Sequence, residues 1–128
     1  MIAANIMTTD TSLPESATVL DAAPIVSVAG AAAVIDGDGK VLGLVTHSRL
    51  LERASRGAAP VREAMEKGFA TINPEADFKA VSLALEGAGV LCAVAVVDDG
   101  SRFLGLITPK DMHRRVWEYK EKKKAGKG

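Results

Sequence analysis

Apolar positions along this chain switch between two periods. Val19, Ala22, Ala23 and Val26 stand at relative positions 0, 3, 4 and 7, the spacing of one helix face. Residues 31–35 and 41–45 are instead short apolar runs separated by Gly37-Asp38-Gly39, the pattern of two buried strands joined by a tight turn. The pattern therefore predicts a helical turn over 3–7, an extended segment over 11–13, a helix from 18 to about 26, a hairpin over 31–45 and a helix over 47–55. Thr18 and Asp21 have capping-box spacing. Pro24 falls inside the first long helix, where it lacks a donor and crowds the preceding turn, so that helix is expected to be short or kinked. Residues 57–60 read as a linker, with Pro60 placed to start the next helix.

The order then repeats. Residues 60–66 read as a short helix and 69–72 as a strand. Asp77 caps a helix to about residue 86, with Phe78, Val81 and Leu85 on its buried face and Gly87 and Gly89 ending it. Strands over 92–97 and 103–107 flank the turn Asp99-Gly100-Ser101. Thr108 caps a last helix with Pro109 at its first position and Met112 and Val116 on one face. Specific residues recur as well. Gly43-Leu44-Val45-Thr46 returns as Gly105-Leu106-Ile107-Thr108, each after an apolar run ending in Asp, Asp36 and Asp98. Ile6-Met7 is echoed by Ala64-Met65, and Pro14-Glu15 by Pro74-Glu75. The chain reads as a mixed α/β (α+β) fold of two pseudo-symmetric β-α-β-β-α repeats, 1–58 and 59–128, packed through their sheets. From Asp21 to Asp36 the first half is two or three residues shorter than its counterpart, a shortening that coincides with Pro24. An internal pseudo-twofold creates clefts between the halves, which favours binding over a single catalytic centre.

Composition narrows the picture. A chain of 128 residues buries roughly two-thirds of its unfolded surface and needs no staples. Hydrophobic residues are 48% and aromatics 4%, so the core has to be aliphatic and closely spaced. Lys+Arg and Asp+Glu both number 16, which leaves no global field for nucleic acid or membrane. The single cysteine, Cys92, has no disulfide partner and no metal-ligand spacing around it, and the compartment reads as reducing and cytoplasmic. The first residues lack the features of a signal peptide, and no apolar stretch reaches the length of a membrane span.

The duplicated motifs resemble a tandem pair of cystathionine-β-synthase (CBS) domains, a Bateman module. The resemblance runs from about Ala3 to Arg115. It rests on Asn5-Ile6-Met7-Thr8, Thr18-Val19-Leu20-Asp21-Ala22-Ala23, Val34-Ile35-Asp36 and Gly43-Leu44-Val45-Thr46, then on Ala64-Met65, Ala93-Val94-Ala95-Val96-Val97-Asp98 and Gly105-Leu106-Ile107-Thr108-Pro109-Lys110-Asp111. It implies a regulatory or sensing module without chemistry of its own. Such modules bind adenosine-containing ligands between repeats: AMP, ADP, ATP, S-adenosylmethionine or NAD. They pair two chains into a disc and report to an effector protein, and no cofactor is required.

In that family Gly-apolar-x-Thr/Ser-x-x-Asp supplies the ribose contact. A ribose diol offers two donors side by side, and an ionised carboxylate is acceptor-only. Thr108 and Asp111 complete the motif in the second copy. The first copy reads Thr46-His47-Ser48-Arg49, with a guanidinium, which has no acceptor, in place of the carboxylate. One nucleotide cleft per chain is therefore expected, around Thr108 and Asp111, with the Thr46 cleft empty or taking a group whose phosphate or carboxylate meets Arg49. Thr108-x-x-Asp111 is equally a capping box that needs no ligand, and the two roles are compatible. By the family pattern Thr18 and Ala23 sit near the base or ribose and Ala29 near the base. Ala29 stands where a larger apolar residue is usual, and Pro24 falls on the same wall. Lys110 is placed to reach phosphate or is simply solvated.

No other residue carries chemistry. His47 and His113 lack converging partners for metal or catalysis, so no catalytic and no metal residues are assigned. Cys92 reads as a buried small hydrophobe without a base to activate it. The tail over 120–127 is basic but short and without interleaved aromatics, and reads as a solvated helix end rather than a nucleic-acid contact. Trp117 and Tyr119 suit a dimer interface. A nucleotide-modifying enzyme lacks a paired acid and base, a metal site and a phosphate loop. The alternative to a sensor is a ligand-free dimerisation or scaffold module with decayed clefts.

Overall fold

The computed structural model describes residues 1–52 and 59–125. Its elements run α1 (Ala3–Ile6), β1 (Ser12–Pro14), α2 (Val19–Ala29), β2 (Ala31–Ile35), β3 (Val41–Thr46), α3 (His47–Glu52), a 3₁₀ turn (Val61–Glu63), β4 (Ala70–Ile72), α4 (Phe78–Gly87), a second 3₁₀ turn (Gly89–Leu91), β5 (Val94–Val97), β6 (Phe103–Ile107) and α5 (Pro109–Ala125). The strands make two three-stranded sheets, β1-β2-β3 and β4-β5-β6, each with a parallel pair followed by an antiparallel one. Registers match: Ala33 faces Leu44 and Val34 faces Gly43 in one sheet, and Ala95 faces Leu106 and Val96 faces Gly105 in the other.

The acidic ends of the apolar runs have a local cause. Asp36 Oδ1 accepts from the N–H groups of Asp38 and Lys40, and Asp98 Oδ1 accepts from those of Gly100 and Arg102. Each carboxylate shapes its hairpin by binding backbone two residues on, the geometry of an Asx turn. Between the sheets lie Ala31, Ala33, Ala93 and Ala95 with Leu44 and Leu106, all buried. Alanine methyls need less depth than the ~10 Å that facing sheets ordinarily keep, and Phe69 and Phe103 pack at the edge of this alanine layer.

The lead-in segments cross over. Ala3 and Ile6 pack into the second half with Val81, Val96 and Ile107, while Val61 and Ala64 pack into the first with Val19, Ala22, Val34 and Val45. Thr8 and Leu106 exchange backbone bonds of 2.8 and 3.0 Å, and Leu44 and Glu66 exchange bonds of 2.9 and 2.7 Å. The recurring glycines follow from this crossing. A Cβ at Gly105 would lie 2.8 Å from Met7 Sδ and 3.0 Å from the Thr8 carbonyl. A Cβ at Gly43 would lie 2.9 Å from Met65 Sδ and from the Glu66 carbonyl.

Several expectations need correction. α2 is not short: it runs 11 residues through Pro24 and ends at Gly30, whose left-handed φ of 94° lets its N–H bond the Val26 carbonyl. Pro24 removes the N–H that would bond the Leu20 carbonyl, but both residues are exposed, and on that face water can replace the lost donor. The shortening of the first half falls after the helix instead: Gly30 leads directly into β2, whereas α4 is followed by the extra turn Gly89–Leu91. Cys92 is exposed, not a buried hydrophobe, and has a left-handed φ of 48° ahead of β5. Phe78 is 38% exposed, so Val81 and the half-buried Leu85 carry the inner face of α4. The segment over 60–66 makes only one 3₁₀ turn, Val61–Glu63, before Glu66 pairs with Leu44. The end of the third helix beyond Glu52, the linker residues 57 and 58, the boundary at 58/59 and tail residues 126 and 127 lie outside the described residues.

Candidate functional site

Thr108 directly follows β6, and Pro109 opens α5 with the fixed φ a first helical turn requires. Asp111 then closes the cap: its Oδ2 accepts from the Thr108 N–H at 2.9 Å and the Thr108 hydroxyl at 3.1 Å. Its Oδ1 points the other way. It accepts from the Thr8 hydroxyl at 2.5 Å and from Arg114 Nη2 at 3.0 Å. Thr108 and Asp111 are each 5% exposed. A carboxylate so enclosed needs donors on every lone pair, and these four supply them. Two of the four come from the helix turn itself, one from the lead-in segment of the other repeat, and one from the half-exposed Arg114 at the rim.

The wall opposite is the end of α2. Lys110 Nζ donates to the Val28 carbonyl at 3.2 Å, across the pseudo-twofold. A Cβ at Gly30 would stand 3.7 Å from Thr108 Cγ2. The structure thus brings Thr108, Lys110 and Asp111 to the segment containing Ala29. It sets Thr18 and Ala23 elsewhere. Thr18 caps α2 through a reciprocal pair with Asp21, at 3.0 and 3.3 Å. Ala23 lines a groove of about 310 Å³ between α2 and α3, with Val19, Leu20, Ser27, His47, Leu50 and Leu51. No described contact joins Thr18 or Ala23 to Asp111.

The counterpart cluster has opposite chemistry. Thr46 is 9% exposed and its hydroxyl lies 3.3 Å from that of Ser48. Arg49 Nε lies 2.6 Å from Glu66 Oε1, in a charge contact along which the N–H is not aimed, and Arg49 Nη1 bonds Glu52 at 3.1 Å. Glu66 occupies the place that Thr8 holds in the other cluster, since each pairs with the central leucine of the facing motif. Sequence reasoning passed over Thr8, Glu66 and Arg114. A signal for the first two existed: each directly follows the methionine of a lead-in echo, Met7 and Met65. Arg114 has only its place one helical turn beyond Asp111.

His47 and His113 are both exposed. Among the described residues no three His, Cys, Asp or Glu side chains gather as a metal site would require, and no helix is long and apolar enough to cross a membrane.

Solved structures share this architecture. The Vibrio cholerae protein AcuB, provisionally described as an acetoin utilization protein, superposes with a TM-score of 0.82 at 20% identity, over 98% of this chain and 96% of that one. The CBS domain pair of protein MJ0100, in complex with methylthioadenosine and S-adenosyl-L-methionine, gives 0.76 at 20% identity, over 93% and 98%. CBSX2 in complex with AMP gives 0.76 at 17% identity, over 93% and 98%. At these identities the likeness establishes the fold. A search of curated protein sequences finds no match. The family model for the CBS domain matches residues 3–56 and again residues 61–118, in step with the two sheets and the crossed lead-ins, and the chain belongs to the CBS domain family as a tandem pair.

Proposed function

We propose that this chain is a regulatory module, not an enzyme, that takes an adenosine-containing ligand between its repeats, against Asp111. The observation that carries this is the division of labour within that carboxylate. Oδ2 is tied to the helix cap, whereas the donors on Oδ1 come from a lead-in threonine and a rim arginine. A ribose diol replaces donors with donors. It gains Oδ1 by displacing Arg114 and the Thr8 hydroxyl, and the released guanidinium and Lys110 then stand near phosphate. Structures of the same fold hold AMP, methylthioadenosine and S-adenosyl-L-methionine, which supports an adenosyl ligand; our order is AMP, ADP or ATP first, S-adenosylmethionine or NAD next. The chain works as a homodimer signalling to an effector protein in the cytoplasm. A ligand-free scaffold is the second reading, favoured by the full set of donors that Asp111 already has.

A thermal-shift panel with AMP, ADP, ATP, S-adenosylmethionine and NADH separates the two. Ligand at 100 times its Kd adds about 2.7 kcal/mol of stability, and Asp111→Ala is expected to abolish the shift. A shift that persists in Asp111→Ala overturns the site; no shift with any ligand leaves the scaffold.

A further inference from the structure

The two clusters are related by the pseudo-twofold, so each serves as the control for the other. Their backbones agree around the crossing lead-ins, although the extra turn Gly89–Leu91 follows α4 alone. Gly43 and Gly105 are each covered by a lead-in methionine; Thr46 ends β3 and Thr108 directly follows β6. Leu44 and Leu106 each hold a lead-in residue through a reciprocal pair of backbone bonds. The chemistry differs where His47 and Ser48 stand against Pro109 and Lys110, and most sharply at two further positions. Thr8 and Asp111 face each other in one cluster, and Glu66 and Arg49 in the other.

We propose that the Arg49–Glu66 pair closes the first cleft, and that these two side chains limit the chain to one ligand. The claim rests on the functional reading above. Arg49 offers no acceptor to a diol, and two carboxylates, Glu66 at 2.6 Å and Glu52 at 3.1 Å, already satisfy its charge. An incoming phosphate would have to displace Glu66 and would then face it as a like charge. The cleft therefore rejects both ends of a nucleotide: the sugar through Arg49 and the phosphate through Glu66. Both side chains are about one-third exposed, and an ion pair in such a setting adds little to stability. Its effect is exclusion. Neither single replacement reopens the cleft. Arg49→Asp sets a new carboxylate against Glu66, and Glu66→Thr leaves the guanidinium with Glu52.

The test is calorimetric titration with AMP and, in separate runs, with S-adenosyl-L-methionine. The parent is expected to bind one ligand per chain, Arg49→Asp alone one, and Arg49→Asp with Glu66→Thr two. Arg49→Asn with Glu66→Thr, neutral at both positions, guards against misfolding of the first double variant and is also expected to reach two, with a weaker second site. Folded double variants that stay at one overturn the proposal while leaving the functional reading intact, and a parent already at two also overturns it. A parent that binds none of AMP, ADP, ATP, S-adenosyl-L-methionine and NADH overturns the functional reading and this proposal with it.

Discussion

The two glycines under the lead-in segments show how single residues fix the geometry. A Cβ at either position meets both a methionine side chain and a lead-in carbonyl, at 3.0 Å for Thr8 and 2.9 Å for Glu66. Backbone held by two hydrogen bonds yields less than a thioether. Gly105→Ala and Gly43→Ala are therefore each expected to cost about 1–3 kcal/mol, the range for overpacking, as measured by urea unfolding. Met7→Ala and Met65→Ala should each restore only part of the respective loss, because the carbonyl remains. Asp21 adds a dependence on pH. The Thr18 N–H, and then the Thr18 hydroxyl, hold its carboxyl below the ordinary 3.8. A lowered native value means that the charged cap stabilises above 3.8 and that this contribution is lost as pH falls through the native value. The stability gap between the parent and Asp21→Asn should thus close between about pH 5 and about pH 2; a constant gap would show that the cap acts without its charge.

At the scale of elements, most of the fold was legible because strand and helix periods alternate cleanly and turn chemistry marks the joints. Asp36 and Asp98 even shape their hairpins from the positions where the apolar runs end. At Pro24 a local rule is overridden by what surrounds it. α2 passes through Pro24 because that face is exposed and its buried stripe, Val19, Ala22 and Val26, continues on the other side. The two lead-ins differ although both make the same crossing: Ala3–Ile6 is α-helical and Val61–Glu63 a single 3₁₀ turn. In the candidate site, Thr108 and Asp111 were visible as a motif, and their cap is observed. Thr8 and Glu66 were marked only by their places after Met7 and Met65, and what they do there depends on the crossing between repeats.

At the scale of the molecule, apolar surface is concentrated on the helices. Leu20 and Leu51 are 68% and 65% exposed on the groove between α2 and α3, and Leu83 and Trp117 are 59% and 60% exposed in the second half. Leucines presented so openly on one groove fit a face that a second chain covers. In sedimentation the parent is expected to run at the mass of two chains, and Leu20→Glu with Leu51→Glu at the mass of one; unchanged sedimentation would exclude that groove from the contact. The crossed lead-ins have a different consequence. A solitary repeat would own a socket over its glycine and an arm that fits only someone else's. Severed from its twin, neither half could satisfy itself, and the smallest self-sufficient object this architecture permits is a reciprocal embrace of two. The duplicated gene product makes that embrace permanent by joining both members in one polypeptide.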